Sequence, residues 1–172
     1  MPDLLRIDKE KPERLGCKDN RVKGMATQTK QFAIVDATGL VLGRLGSDVS
    51  KRLLQGESVT IVNAEKAIIS GKRVSHVREK REFLEIGHLG HGPYHPRRPD
   101  QIIRRAVRGM LPRRKPKGRD AYKRLKVFIG VPDEIKEKNF ETIPHAKAGK
   151  LKCPYFTVGE FAKEIGWTAG GE

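Results

Sequence analysis

The stretch RGMLPRRKPKGR, residues 108–119, concentrates positive charge: six of its twelve residues are Arg or Lys and none is acidic. Guanidinium and ammonium groups neutralise phosphate, and Arg donates paired hydrogen bonds to its oxygens. Two prolines and two glycines interrupt the stretch, so it is not expected to form one regular helix. The chemistry that these residues indicate is the binding of a polyanion.

The charge of the whole chain points the same way. Its 172 residues include 36 Lys and Arg against 21 Asp and Glu, a formal net charge of +15. Residues 97–126 contain thirteen Lys or Arg and two acids, a net +11, which leaves +4 for the other 142 residues. Such a balance favours RNA, DNA or an anionic membrane. A membrane role is the weakest of these, because no apolar run is long enough to span a bilayer and few large aromatic residues accompany the charge.

Three histidines, His88, His91 and His95, occur in GHLGHGPYHPRR and raise the question of a metal site. Glycines and a proline leave no helix or strand to aim them, and no Cys or acid joins them. A glycine-rich loop in which His91, Tyr94 and His95 stack on RNA or bond to its sugar and phosphate fits better. A folded turn without such a contact stays open as an alternative.

The glycines of DATGLVLGRLGS test a nucleotide site, because they follow a predicted strand and open a helix. Gly39, Gly43 and Gly46 are spaced four and then three, whereas the dinucleotide fingerprint requires two and then three. The Gly-Lys-Ser/Thr ending of a phosphate loop is also missing. Glu65 does lie where a ribose-binding acid would stand. A turn with close packing is the simpler interpretation, and the nucleotide site remains an alternative.

The chain shows no pattern typical of catalysis. It has no GxSxG, no HExxH, no paired carboxylates and no Cys–His signature. Cys17 and Cys153 form no CxxC or zinc pattern, which suits a reducing compartment. We therefore expect no enzyme activity, no cofactor, no metal and no small-molecule substrate.

Alternating strands and helices predict an α/β fold with a short, mainly parallel sheet. The apolar, β-rich segments 31–37, 58–64 and 125–132 read as strands, with a short strand or strand end at 66–71. Residues 1–30 lack a sustained period and are expected to be an extension with little core of its own, which leaves 31–172 as a single domain.

The helices that accompany these strands are predicted at three main places. Residues 38–56 have apolar residues at helical spacing and end at Gly56. Residues 72–87 read as a charged helix with Ser70 or Ser75 as its cap, and its apolar residues are expected to face inward, namely Val74, Val77, Phe83 and Ile86. Near the end, Thr157 and Glu160 form a capping-box pattern, with Phe161 and Ile165 inward.

A further helix in PRRPDQIIRRAVRGMLP, residues 96–112, positions the arginines. At ~100° per residue, Ile102, Ile103, Ala106, Val107, Met110 and Leu111 fall on one half of the wheel. Arg104, Arg105, Arg108 and Gln101 fall on the other half, and no acid follows these arginines at i+3 or i+4. We expect a row of arginines facing a partner, continued by a basic loop at 112–119 that is disordered until it binds.

These same residues resemble the large-subunit ribosomal protein thirteen family, in its archaeal and eukaryotic branch. The likeness rests on HGPYHPRRPDQIIRRAVRGMLPRRKPKGRDAYKRLKVFIGVP, VDATGLVLGRLGSDVSKRLLQG and VTIVNAEKAIISGK, and runs from about Phe32 to Trp167. It implies a three-layer α/β/α domain, binding to large-subunit ribosomal RNA beside neighbouring ribosomal proteins, a structural role in the cytoplasmic ribosome and in subunit assembly, and no enzyme activity.

The residues that we expect to bind RNA lie mostly between positions 91 and 124. They are Arg44, Lys72, His91, Tyr94, His95, Arg97, Arg98, Arg104, Arg105, Arg108, Arg113, Arg114, Lys115, Lys117, Arg119, Lys123 and Arg124. Two other functions stay open on the residues alone: a DNA-binding architectural protein, and a nucleotide-dependent enzyme that uses Gly39–Gly46.

Overall fold

A parallel sheet of three short strands forms the centre of the fold in the computed structural model, which describes residues 32–87, 90, 95–136 and 139–168. The helices and strands follow one another as β1 Phe32–Asp36, α1 Leu42–Gln55, β2 Ser58–Val62, β3 Ile68–Ser70, α2 Arg73–Glu85, α3 Pro99–Met110, α4 Pro116–Lys123, β4 Leu125–Val127, β5 Tyr155–Thr157 and α5 Val158–Glu164. The sheet order is β1-β2-β4, with both pairings parallel. The predicted parallel sheet is confirmed, although β4 is shorter than the 125–132 that its sequence indicates.

One face of this sheet carries most of the core. Val59, Ile61 and Leu125 pack there against α1, α3 and α4. The opposite face is covered more thinly, by the segment after β4, where Ile135 in a single 3₁₀ turn packs on Ile34 and Val62. A strand buried on both faces reads as a continuous apolar run, as β2 does.

Helix α1 forms as its sequence predicts. Leu45, Val49 and Leu53 recur four residues apart and are fully buried. Gly56 ends the helix with φ +109°, a left-handed conformation that favours glycine, and its N–H donates to the Leu53 carbonyl oxygen at 3.3 Å.

Two glycines near the start of α1, Gly39 and Gly46, serve a turn and close helix packing. Gly39 has φ +69° in the turn after β1. A Cβ on Gly46 would lie 3.0 Å from the Met110 sulfur, so this glycine lets α1 and α3 approach each other. Glu65 accepts a hydrogen bond from the Gly130 N–H at 3.0 Å, which ties its carboxylate to the fold.

A second, two-stranded sheet is antiparallel and lies outside the expected pattern. β3 pairs with β5, a strand that the sequence does not predict, in the register Ile68↔Thr157. The capping box that follows is confirmed: Thr157 Oγ1 accepts from the Glu160 N–H at 3.1 Å, and Glu160 returns a bond to the Thr157 N–H at 3.3 Å. Phe161 and Ile165 are buried as predicted.

Helix α2 corrects the expected set of inward residues. Only Val77 is buried, whereas Val74 is 79% exposed, Ile86 is 66% exposed and Phe83 is also exposed. At ~100° per residue, Val77 and Phe83 point about 120° apart, so the apolar residues do not share one face. No serine caps the helix either, because its first turn begins after Lys72 without a side-chain hydrogen bond.

Helix α4 corrects the expectation of an extended basic loop. The helix begins at Pro116, inside the stretch that its prolines and glycines mark as irregular. A proline is well accommodated in the first turn of a helix because its missing N–H has no partner to lose there. Residues 112–115 therefore form a turn between two helices, and Lys117 and Arg119 lie on α4.

The last third of the chain returns to the first strand and helix. The Asp36 N–H donates to the Glu141 carbonyl oxygen at 3.1 Å, and the Glu141 N–H donates to Ile34 at 2.8 Å. The Val41 N–H donates to the Ala146 carbonyl oxygen at 2.8 Å. These bonds cover the outer edge of β1, which is an edge strand of the sheet.

Candidate nucleic-acid interface

Helix α3 separates its apolar and basic residues onto two faces. Ile103 and Val107 are buried against α1, while Arg105 is exposed and Arg108 half-buried on the opposite face. The amphipathic prediction is thus confirmed, with one exception: Met110 is exposed although its sulfur touches Gly46. Pro99 occupies the first turn and Asp100 lies at the positive end of the helix, as the sequence indicates.

A cleft of about 610 Å³ lies between the end of α3 and the turn that leads to α4. It is lined by Arg105, Arg108, Gly109, Leu111, Pro112, Arg113, Arg114 and Lys115. Five of these eight residues are cations and none is an acid. Within the described residues, the cations from 108 to 119 form no ion pair with a carboxylate.

The turn of the cleft is fixed by a close backbone contact. The Lys115 N–H donates to the Pro112 carbonyl oxygen at 3.0 Å, and the Gly118 N–H donates to Lys115 at 3.1 Å. Gly118 is buried, and a Cβ on it would lie 2.3 Å from the Pro112 oxygen. Only glycine permits this approach, which holds Arg113, Arg114 and Lys115 at the mouth of the cleft.

Two of the predicted arginines are engaged by the fold. Arg124 is half-buried, and its Nη2 donates to the Leu53 carbonyl oxygen in the last turn of α1 at 2.7 Å. The guanidinium of Arg104 lies 4.9 Å from the centroid of the Tyr122 ring, a cation–π contact. Both side chains keep their positive charge, but contacts within the protein fix their orientation.

Three more of the predicted cations, Arg97, Arg98 and Lys123, do not line this cleft. Arg98 pairs with Asp100 at 3.3 Å and Lys123 with Asp120 at 3.8 Å. Arg97 is exposed and approaches the backbone of Gly166.

Arg44 and Lys72 lie on other elements of the fold. The Arg44 Nη1 donates to the His145 carbonyl oxygen at 3.4 Å, and the exposed Lys72 precedes α2. Neither residue lines the cleft.

His95 is held by the arginine face itself. Its Nδ1 lies 3.0 Å from Arg105 Nη1, and because a guanidinium only donates, Nδ1 must accept. Burial, followed by the positive charges of Lys80 and Arg105, lowers the pKa of His95 below 6.5. In the neutral ring, the hydrogen bond from Arg105 leaves Nε2 as the nitrogen that carries the proton.

Part of the predicted histidine loop lies outside the described residues, including His91 and Tyr94. Within the described ranges no group of three His, Cys, Asp or Glu side chains is placed to hold a metal ion. In the same part of the chain, no helix is long and apolar enough to cross a membrane.

Tyr122 and Gln101 lie beside the basic cleft, and neither is among the residues predicted to bind. Both line a second, smaller cleft beside the first. The available signal was an aromatic residue within the basic run RDAYKRLK, which is a common feature of surfaces that bind single-stranded nucleic acid.

A small α/β core with a basic cleft whose lining holds no acid is typical of proteins that bind polyanions. Comparison with known proteins is more specific. Residues 30–134 match the family described as Ribosomal protein L13, and the chain belongs to that family.

Archaeal relatives resemble most of the chain. A protein of Methanosarcina barkeri, "Large ribosomal subunit protein uL13", is 49% identical over 137 residues, which cover 78% of this chain and 98% of the relative. Proteins of the same description from Methanococcoides burtonii and Archaeoglobus fulgidus are 45% and 44% identical, covering 98% and 88% of their lengths. The chain is a structural component of the large ribosomal subunit and not an enzyme, as its resemblance implies.

Proposed function

We propose that the chain binds large-subunit ribosomal RNA through the exposed face of α3, the turn at 112–115 and helix α4. The single observation that carries the proposal is the cleft whose five cations have no acid among their neighbours in its lining. Crowded like charges repel one another, and RNA phosphates supply the missing counter-charge. The position of the chain in the large subunit makes ribosomal RNA and other ribosomal proteins its neighbours.

The proposed RNA-binding residues differ in whether they line the cleft and in whether contacts within the fold already engage them. Arg105, Arg108, Arg113, Arg114 and Lys115 line the cleft, and Lys117 and Arg119 extend it along α4. The remaining members of the proposed set are Arg44, Lys72, His91, Tyr94, His95, Arg97, Arg98, Arg104, Lys123 and Arg124. For Arg104 and Arg124, we infer that the contacts with Tyr122 and with the Leu53 carbonyl hold the side chains within the fold, so that these two arginines contribute less to RNA binding than the others.

We further propose that residues 31–172 form a single RNA-binding domain to which residues 1–30 are an extension. The match to the relatives supports this, because 78% of the chain covers nearly all of the Methanosarcina barkeri protein. We infer a three-layer arrangement in which the segment after β4 supplies the third layer. The packing of Ile135 on the far face of the sheet supports that inference.

A salt series tests the proposed function. The full chain is titrated onto a large-subunit ribosomal RNA transcript and onto duplex DNA at matched salt. With roughly 6–10 phosphate contacts, the affinity for RNA falls by about 10³ to 10⁵ between about 50 and 200 mM salt. RNA retains a clear advantage at the high-salt end, because a folded site is recognised beyond its charge. Equal affinity for RNA and DNA throughout would reduce the surface to a generic polyanion binder.

Arg124 separates a structural role from an RNA-binding role. We expect Arg124→Gln to lower the free energy of unfolding by about 1–2 kcal/mol, because the Leu53 carbonyl loses a charged donor. The salt slope of RNA binding stays unchanged. The matched variant Arg119→Gln removes an exposed cation and lowers the slope by about one, with stability within ~0.5 kcal/mol. Chemical denaturation and the salt series measure both, and a slope loss in Arg124→Gln places that side chain on a phosphate instead.

A further inference from the structure

A second cleft, of about 290 Å³, adjoins the basic cleft and differs from it in chemistry. It is lined by His95, Pro96, Gln101, Arg105, Arg108 and Tyr122. Arg105 and Arg108 line both clefts, so the two spaces share one wall. The volume lies at the lower end of the ~300–1,000 Å³ of small-molecule sites, which limits an occupant to a small, single-ring or two-ring group.

Gln101 and His95, two neutral polar side chains of this cleft, have fixed hydrogen-bonding roles. Gln101 Nε2 lies 3.2 Å from Asp100 Oδ2, and a carboxylate only accepts, so the amide NH₂ must face it. Asp100 is only 9% exposed and is also bonded to Arg98, which anchors the pair. The carbonyl oxygen of Gln101 is then the group that remains to accept a bond.

His95 supplies the complementary donor. Arg105 donates to its Nδ1, which leaves the proton on Nε2. Gln101 and His95 therefore offer one neutral acceptor and one neutral donor. A Watson–Crick edge of a nucleobase places a donor next to an acceptor in the same way.

The apolar wall of the cleft suits a flat ring. Tyr122 is half-buried, with the Arg104 guanidinium over its ring, so its orientation is fixed before any ligand arrives. Pro96 adds further apolar surface. Unpaired bases of RNA stack on aromatic side chains and on arginine planes, and each stacked base contributes about 1–3 kcal/mol.

We propose that this second cleft receives one unstacked nucleobase of the ribosomal RNA, with the base edge on Gln101 and His95 and its phosphate on Arg105 and Arg108. The inference rests on the proposed RNA-binding function and deepens it. The basic cleft neutralises backbone phosphates and is indifferent to sequence, whereas the second cleft adds a contact to a base.

The test compares chemical footprints of saturated complexes. Wild-type protein, Gln101→Ala, His95→Ala and the control Gln55→Ala are each bound to the large-subunit ribosomal RNA transcript. Gln55 is exposed at the end of α1, outside the cleft. Dimethyl sulfate reports the Watson–Crick edges of A and C, and a carbodiimide reports those of G and U. Affinities are measured across the same salt series.

We expect one unpaired nucleotide to be protected in the wild-type and Gln55→Ala complexes and reactive in both the Gln101→Ala and His95→Ala complexes. Each cleft variant lowers the affinity roughly 5- to 10-fold, the loss of about one hydrogen bond, with an unchanged salt slope. Identical footprints and affinities for all four proteins would overturn the base-binding cleft while RNA binding stands. If wild-type protein does not bind the transcript at all, the proposed function itself fails.

Discussion

We expect the triple variant Arg113→Gln, Arg114→Gln, Lys115→Gln to bind large-subunit ribosomal RNA on the order of 100-fold more weakly than wild type near 0.15 M salt. Each phosphate contact contributes about 0.9 to the slope of log affinity against log salt. Removing three contacts lowers the slope by about 2.7, which corresponds to roughly two decades between 1 M and 0.15 M. The side chains are exposed, so the fold keeps its stability within ~0.5 kcal/mol.

The control for this variant carries the same change of charge elsewhere. Lys51, Lys147 and Lys152 are exposed and do not line the cleft. Their joint replacement by Gln alters the net charge equally and lowers affinity far less if the cleft holds the RNA. Equal losses from both triple variants would show that net charge alone, and not the position of the cations, determines binding.

The second large effect is on stability and comes from a single methyl group. We expect Gly118→Ala to lower the free energy of unfolding by about 2–3 kcal/mol, because overpacking against a fixed backbone costs about this much. The new Cβ would lie 2.3 Å from the Pro112 oxygen, which is itself bonded to the Lys115 N–H. The turn must open, so RNA affinity falls together with stability.

Gly109→Ala is the matched control for Gly118→Ala. Gly109 lies in α3 with nothing within 4 Å of an added Cβ. Alanine favours a helix over glycine, so stability rises by about 0.5–1 kcal/mol. Denaturant titration of the two variants measures the difference, and a Gly118→Ala protein as stable as wild type would show that the contact with Pro112 can relax.

The features that were predictable depend on local sequence. The burial of Leu45, Val49 and Leu53, the glycine end of α1 and the capping box of α5 each follow from residues within one or two turns. The arginine face of α3 follows from the wheel alone. These signals can be interpreted without knowing which other element each helix packs against.

The features that were not predictable depend on tertiary contacts. Gly118 is expected to interrupt a helix, yet it lies inside α4. Its lack of a side chain leaves room there for the Pro112 carbonyl oxygen. The internal role of Arg124 requires the carbonyl of Leu53, 71 residues earlier. The charge pattern thus predicts where the interface lies, whereas distant parts of the chain decide which of its cations are engaged inside the fold.

The hydrogen bonds between Glu141 and β1 have a consequence for biosynthesis. A chain emerging vectorially exposes β1 more than a hundred residues before the segment that covers its edge. Parallel pairing across such a sequence separation is slow, because the entropy cost of closing the loop is incurred before the new contacts stabilise the chain. The nascent protein therefore cannot cover this edge until the segment around Glu141 has been synthesised, and until then the bare strand edge is open to whatever chaperone or RNA meets it first.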